Sequence, residues 1–299
     1  MNLRLTNPHS VLAALATRPK DVLSMSVPSH GAGEAWQKAA IEAQENGIRV
    51  RQLAPIEDSD DDEGPGRKGD RRSGGSRGGR GDGRSEGGRH GGGQGQRGGN
   101  RGGQNRGGPR GGRGGGPKSG RSGGAEAEVR PREGIEVHEL FAGGAKLEGG
   151  KGLWLAIDQV QDPRNLGAIF RSASFFGVAG VLLTRDRAAP LSSVAYDTAS
   201  GGLEHVPFAW ASNLSRDFAA ARDEGLWILG AAGEADDDVS TIDRERPWLL
   251  VLGNEEKGLR RLTREGCDQL CRLSPIGVVD SLNVSVAAAV FMAGMRQGR

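Results

Sequence analysis

Three segments of the chain hold the residues whose types and spacing suit chemistry. In the first, residues 158–173 (DQVQDPRNLGAIFRSA), Asp162 and Pro163 form a turn and Asn165 is a natural helix N-cap. Gly167 permits close approach of another backbone near the helix start. Leu166, Ile169, Ala173 and Phe176 give that helix a buried stripe, which leaves Arg171 as a cation off the stripe. In the second segment, residues 250–259 (LVLGNEEKGL), a buried strand ends abruptly at Gly253, and the exposed amides that follow, beside Glu255, suit hydrogen bonding to a ligand. In the third, residues 273–294, Ser281 or Asn283 caps a final helix whose Ser285, Ala287, Ala288 and Ala289 allow close packing. Each segment also has an ordinary reading: a solvated helix residue, a water-exposed β–α loop, a cap on a core helix. Taken separately, none of them names a reaction.

The elements that must position these residues alternate from residue 153 onward. Strands are expected at 153–157, 179–184, 226–232, 247–253 and 269–273. Helices are expected at 165–176, 192–200, 213–224, about 259–266 and 283–295. Near-continuous apolar strands separated by helices specify an α/β fold with a parallel sheet covered on both faces, where ligands sit beyond the carboxyl ends of the strands. Residues 1–57 read as a smaller α/β unit, with Val11, Leu12 and Leu15 at helical spacing, a strand at 22–27, a helix at 36–46 closed by Gly47, and an alternating run at 48–53. That length is thin for an independent core, so a later segment must complete it or a partner must support it. Residues 135–140 (IEVHEL) alternate like one more strand.

Composition divides the chain. Of its 52 glycines, 29 fall in residues 64–124, a stretch without one Ala, Val, Ile, Leu, Met, Phe, Trp, Tyr or Cys. That stretch carries 15 Lys and Arg against three acidic residues, so a chain of net charge +2 splits into +12 there and −10 elsewhere. Without apolar side chains nothing offsets the entropy of ordering, and the stretch is expected to be disordered. A single 299-residue globule and a uniformly basic nucleic-acid binder are both excluded. A GxGxxG at Gly93, Gly95 and Gly98 is no dinucleotide site, because no strand precedes it and no helix follows. No secretory signal opens the sequence and no apolar run reaches the length of a membrane span, so a cytoplasmic location is expected. Cys267 and Cys271 stand alone as a pair without histidine, which predicts buried or half-buried free thiols and no metal site.

Together and in this order, the three segments resemble the three motifs of the SpoU (TrmH) family of RNA ribose 2′-O-methyltransferases, within the SPOUT superfamily. DPRNLGAIFRSA, LVLGNEEKGLRRLTREGCD and SLNVSVAAA carry the likeness, which spans residues 150–297. RRLTREGCD, AAGEAD (231–236) and the N-terminal SVLAALA are most similar to the bacterial 23S rRNA guanosine-2′-O-methyltransferase branch; the tRNA enzymes, or a non-catalytic ribosome-assembly factor that kept the fold, are the alternatives. The resemblance implies a SPOUT-type parallel sheet with a C-terminal trefoil knot over residues 145–299, S-adenosylmethionine as cofactor, rRNA as partner and a homodimer. It also implies an L30e-like RNA-binding domain from residues 1–57 and 128–141, interrupted by the disordered acidic and then Arg-Gly-Gly-rich insertion 58–127. The last strand of that domain would be Arg132 to Leu140 (REGIEVHEL), with Arg132 and Glu133 where the branch has His-Gln. By the same likeness Asn165, Arg171, Glu255, Ser281 and Asn283 are catalytic, with Arg171 activating the 2′-hydroxyl, and Gly253, Leu273 and Leu282 contact the cofactor. The Arg-Gly-Gly repeats at Arg77, Arg97, Arg101, Arg106, Arg110 and Arg113 are candidate RNA contacts, through phosphates and guanidinium stacking.

Overall fold

A computed structural model describes residues 1–54 and 124–296; the six repeat arginines and the expected insertion up to residue 123 lie outside them. In chain order the elements are β1 (Leu3–Leu5), α1 (Pro8–Thr17), β2 (Val22–Pro28), α2 (Glu34–Glu45), β3 (Arg49–Leu53), β4 (Glu126–Val129), α3 (Val137–Phe141), β5 (Leu153–Ile157) and α4 (Pro163–Phe175). They continue with β6 (Gly180–Thr184), α5 (Ser193–Ala199), α6 (Gly202–His205), β7 (Phe208–Ala211), α7 (Leu214–Asp223), β8 (Trp227–Ala231), β9 (Trp248–Leu252), α8 (Arg261–Glu265), β10 (Gln269–Cys271) and α9 (Val284–Arg296).

Every residue of β5, β6 and β9 is buried, as uninterrupted apolar runs in a doubly covered sheet must be. The six strands β10-β8-β9-β5-β6-β7 pair in parallel throughout. Strand alternation sends Leu153, Leu155, Ile157, Leu250 and Leu252 to one face, against α4, α5 and α9, and Trp154, Ala156, Leu249 and Val251 to the other, against α3 and α7. The close approach expected at Gly167 is present: a Cβ there would lie 2.4 Å from the carbonyl oxygen of Ala195 in α5.

The N-terminal residues form a four-stranded sheet ordered β1-β4-β2-β3. Strand β4 is antiparallel to both β1 and β2, and buries Ala127 and Val129 between them. The strand expected at 132–140 is therefore corrected. Ile135 makes one isolated bridge to Ala209 of the large sheet, and the chain then turns into α3. Val137, Leu140 and Phe141 fit helical spacing as well as IEVHEL fits alternation, and the second face of the large sheet takes up Leu140 and Phe141. β7, absent from the sequence reading, is a four-residue strand at the sheet edge.

Candidate functional site

A cavity of about 400 Å³ opens at the carboxyl ends of β8, β9 and β10. Gly253, Leu273 and Leu282 all line it, as do Glu255 and Ser281, together with Phe291 of α9. The abrupt end of β9 has a steric cause. A Cβ at Gly253 would fall 2.2 Å from the carbonyl carbon of Gly258, because the loop folds back through paired bonds between Asn254 and Gly258 of 3.1 and 2.9 Å. Behind the cavity residue Ser274, Asp238 accepts from the Ser274 amide at 3.1 Å and from the Ser240 amide and hydroxyl, and these bonds hold its carboxyl well below the usual carboxylate range.

The polar residues of the three segments meet in one hydrogen-bonded chain. Asn283 caps α9, its Oδ1 accepting from the Ser285 amide at 2.9 Å and the Ser285 hydroxyl at 2.6 Å. That leaves its Nδ2 to donate to Asn165 Oδ1 at 3.0 Å, and so the Asn165 Nδ2 donates to Glu255 Oε1 at 3.1 Å. A backbone donor at one end thus determines the orientation of both amides. The Glu255 carboxylate also accepts from the Gln161 and Asp162 amides at 3.3–3.4 Å and from Asn254 Nδ2 at 3.2 Å. Every bond in this chain is at the surface, so each is worth little alone; their joint effect is geometric, tying three loops distant in sequence.

Asn165 is not the N-cap of α4. Asp162 caps it, accepting from the Arg164 amide at 2.8 Å, because Pro163 has no N–H to be capped and its fixed φ suits the first helical position. Asn165 sits inside the first turn, which frees its side chain for the relay. Between Ser281 and Asn283, the helix cap falls to Asn283.

Arg171 stands apart from this group. It is exposed, has no hydrogen-bond or acidic partner among the described residues, and lies six positions after Asn165, about 9 Å further along α4 and on another face. Its guanidinium is uncommitted. Cys267 and Cys271 are free thiols, both pushed up to about 12, chiefly by burial. Among the described residues no group of His, Cys, Asp and Glu is arranged to hold a metal, and no helix is long and apolar enough to cross a membrane.

Two further residues organise the site without a signal in the sequence. Asn254 donates to the Gln159 carbonyl at 2.9 Å while its Oδ1 accepts from the Glu256 and Lys257 amides. Asp158, buried at the end of β5, accepts from the Thr263 hydroxyl at 2.7 Å and pairs with Arg260, joining the first segment to the start of α8. The DPRN run drew attention to the turn after Asp158, but partners 102 and 105 residues away have no local pattern.

The sequence model of the SpoU rRNA Methylase family matches residues 152–293, a span that contains every residue of the relay. A putative TrmH family tRNA/rRNA methyltransferase, YacO, of Bacillus subtilis is 36% identical over 169 residues, covering 56% of this chain and 68% of that protein. The chain belongs to the SpoU family. A 23S rRNA (guanosine-2'-O-)-methyltransferase, RlmB, of Photobacterium profundum is 42% identical over 168 residues, 56% of this chain and 67% of that protein. The chain spans about half to two thirds of the length of the curated relatives it matches. Among solved structures, the SpoU methyltransferase AviRb of Streptomyces viridochromogenes in complex with AdoMet shares the fold at a TM-score of 0.63 and 17% identity, over 100% of this chain and 92% of that one.

Proposed function

We propose that this SpoU-family chain transfers the methyl group of S-adenosylmethionine to a ribose 2′-hydroxyl of structured RNA, a guanosine of 23S rRNA, and works as a homodimer. The observation that carries this reading is the Asn283–Asn165–Glu255 relay, which draws the family's three segments to the rim of one cavity at the sheet's carboxyl ends. The relative from Photobacterium profundum supports the choice of substrate.

The cavity suits a nucleoside-sized ligand in volume, and apolar residues, Leu273 and Leu282 among them, line it beside Gly253. S-adenosylmethionine, when bound, supplies an electrophilic methyl group. The chain's own residues orient the ribose and stabilise charge. Asn165 Nδ2 and Asn283 Nδ2 each keep one hydrogen uncommitted within the relay, available to a ribose or phosphate oxygen. Glu255 already accepts from four groups, so it holds the loops and is not assigned the hydroxyl proton, which passes to water. Arg171 acts electrostatically, on the phosphate and on charge developing at the 2′-oxygen. Ser281 lies at the cavity wall, where its hydroxyl is placed to meet the ligand or the loop around it.

Two finer features belong to the same proposal. The C-terminal segment, in which α9 follows the edge strand β10 and packs on α4, forms the trefoil knot that the family resemblance implies. The small sheet is an L30e-like RNA-binding domain, with the glycine/arginine tract as an added electrostatic contact. The exposed apolar side chains of Ile276, Val278, Val286 and Val290 support burial against a second copy. The test is methyl transfer from labelled S-adenosylmethionine to 23S rRNA and to tRNA, with mapping of the modified ribose. Arg171→Ala is expected to cut turnover by about 10²–10³-fold while cofactor binding, followed by calorimetry, persists. Turnover that survives in Arg171→Ala sinks its role, and label in tRNA alone redirects the substrate. Deleting residues 64–124 is expected to lower RNA affinity and, if about five cations met phosphates, to flatten the log–log salt slope by about 3.5. An unchanged slope would make the tract a passive linker.

A further inference from the structure

The N-terminal sheet is fastened to the large sheet by a buried polar cluster that the site above does not use. Arg18, at the end of α1, forks onto Glu204 of α6 through two bonds of 2.7 Å, Nε to Oε2 and Nη2 to Oε1. The Glu204 side chain is wholly buried and that of Arg18 is 13% exposed. The Arg132 amide donates to the Tyr196 hydroxyl at 2.9 Å, its guanidinium donates to the carbonyls of Leu203 and Val206, and it lies over the Phe208 ring at 5.3 Å. Burial works against the charge on Arg18, but the Glu204 carboxylate outweighs it and raises the pKa; burial lowers that of Arg132 and raises that of Tyr196. Beside this cluster, Asp197 of α5 accepts from the Thr6 amide and hydroxyl and from the Asn7 amide, and Ser10 donates to the Tyr196 carbonyl at 2.7 Å.

The cluster abuts the helix that carries Arg171. Gly202, two residues before Glu204, lies so close to α4 that a Cβ there would meet the Phe170 carbonyl oxygen at 2.6 Å and the Arg171 Cα at 2.9 Å. A shift of α6 therefore moves against the backbone of Arg171 with no compressible layer between.

We propose that Arg18, Glu204, Arg132 and Tyr196 form a lock that holds the N-terminal sheet at a fixed distance from Arg171, so that RNA gripped by the small unit is presented to the reacting end as on a ruler. This rests on the methyltransferase reading above. The four are positioning residues; none of them touches the cavity. A small RNA-binding unit on a loose tether would raise the local concentration of substrate, whereas a locked one also selects which ribose arrives.

The test uses the full chain with Arg18→Met and Glu204→Leu combined, which removes both charges and leaves no buried carboxylate or Arg18 guanidinium unpaired. Hydrogen exchange of peptides covering residues 3–10 and 193–206 is expected to speed at least tenfold, with β5 and β6 unchanged. The kcat on 23S rRNA is expected to fall at least tenfold with S-adenosylmethionine affinity unaltered, and Arg18→Lys, which keeps the charge, is expected to lie between. Faster exchange with wild-type kcat overturns the positioning role, and unchanged exchange overturns the lock. Failure of the unaltered protein to methylate any RNA, with the protection pattern intact, would count against the reaction and leave the lock standing.

Discussion

Two glutamates hold this molecule together in opposite ways. Glu255 is exposed and collects weak bonds from Gln161, Asp162, Asn165 and Asn254. Glu204 is buried and collects one bidentate guanidinium. An exposed carboxylate surrounded by neutral donors is replaceable by water at small cost in free energy, so its value is the shape it imposes on three loops. A buried carboxylate without its guanidinium, or the reverse, has no such substitute. The site is thus soft in energy and demanding in geometry, while the seam between the two sheets is demanding in both.

The contrast breaks or sharpens under substitution. The largest effect belongs to Glu204→Gln, which removes the buried carboxylate between Arg18 and Arg132 and leaves Arg18 only the longer, partly exposed pair with Asp21 at 3.4 Å; chemical denaturation is expected to show a loss of about 3–5 kcal/mol. A loss below about 1 kcal/mol would place Glu204 with surface pairs and erase the distinction. Glu255→Ala is expected to lower kcat/KM for RNA by about 10–100-fold, the range for a misplaced supporting group, while its stability change stays within about 1 kcal/mol. An unfolding midpoint that drops with activity would show that the relay is structural. Asn283→Ala removes an N-cap and is expected to cost about 1 kcal/mol. Asn283→Asp is the smallest change in stability, since an aspartate caps equally well at the positive end of α9. It has no N–H for Asn165, so its activity should fall with the midpoint unmoved. Unaltered turnover in that variant would remove the relay from catalysis.

Much of the large sheet was legible because burial on both faces demands unbroken apolar runs, and LWLAI and WLLVL admit no other placement. The short strands were not. FAWA of β7 and EAEV of β4 are four residues each, too brief for periodicity to separate from a turn or helix. Residues 135–140 satisfied both periods, and the open face beneath α7 decided for helix. Asp162 displaced Asn165 as the cap of α4 because proline fixes where the first turn begins.

The chemical inventory is readable residue by residue: an acidic folded part, a basic apolar-free tract, and three polar-ended apolar segments whose order matches one family. The parallel sheet is readable in the same way, since it follows from the solvation of each residue taken singly. It takes the folded chain to bring Asn283, Asn165 and Glu255 into one hydrogen-bonded chain, to leave Arg171 outside it, and to join Glu204 to Arg18 across 186 residues. Those are pairings between distant side chains. Their partners are chosen by where strands and helices come to rest, and no local periodicity encodes that choice.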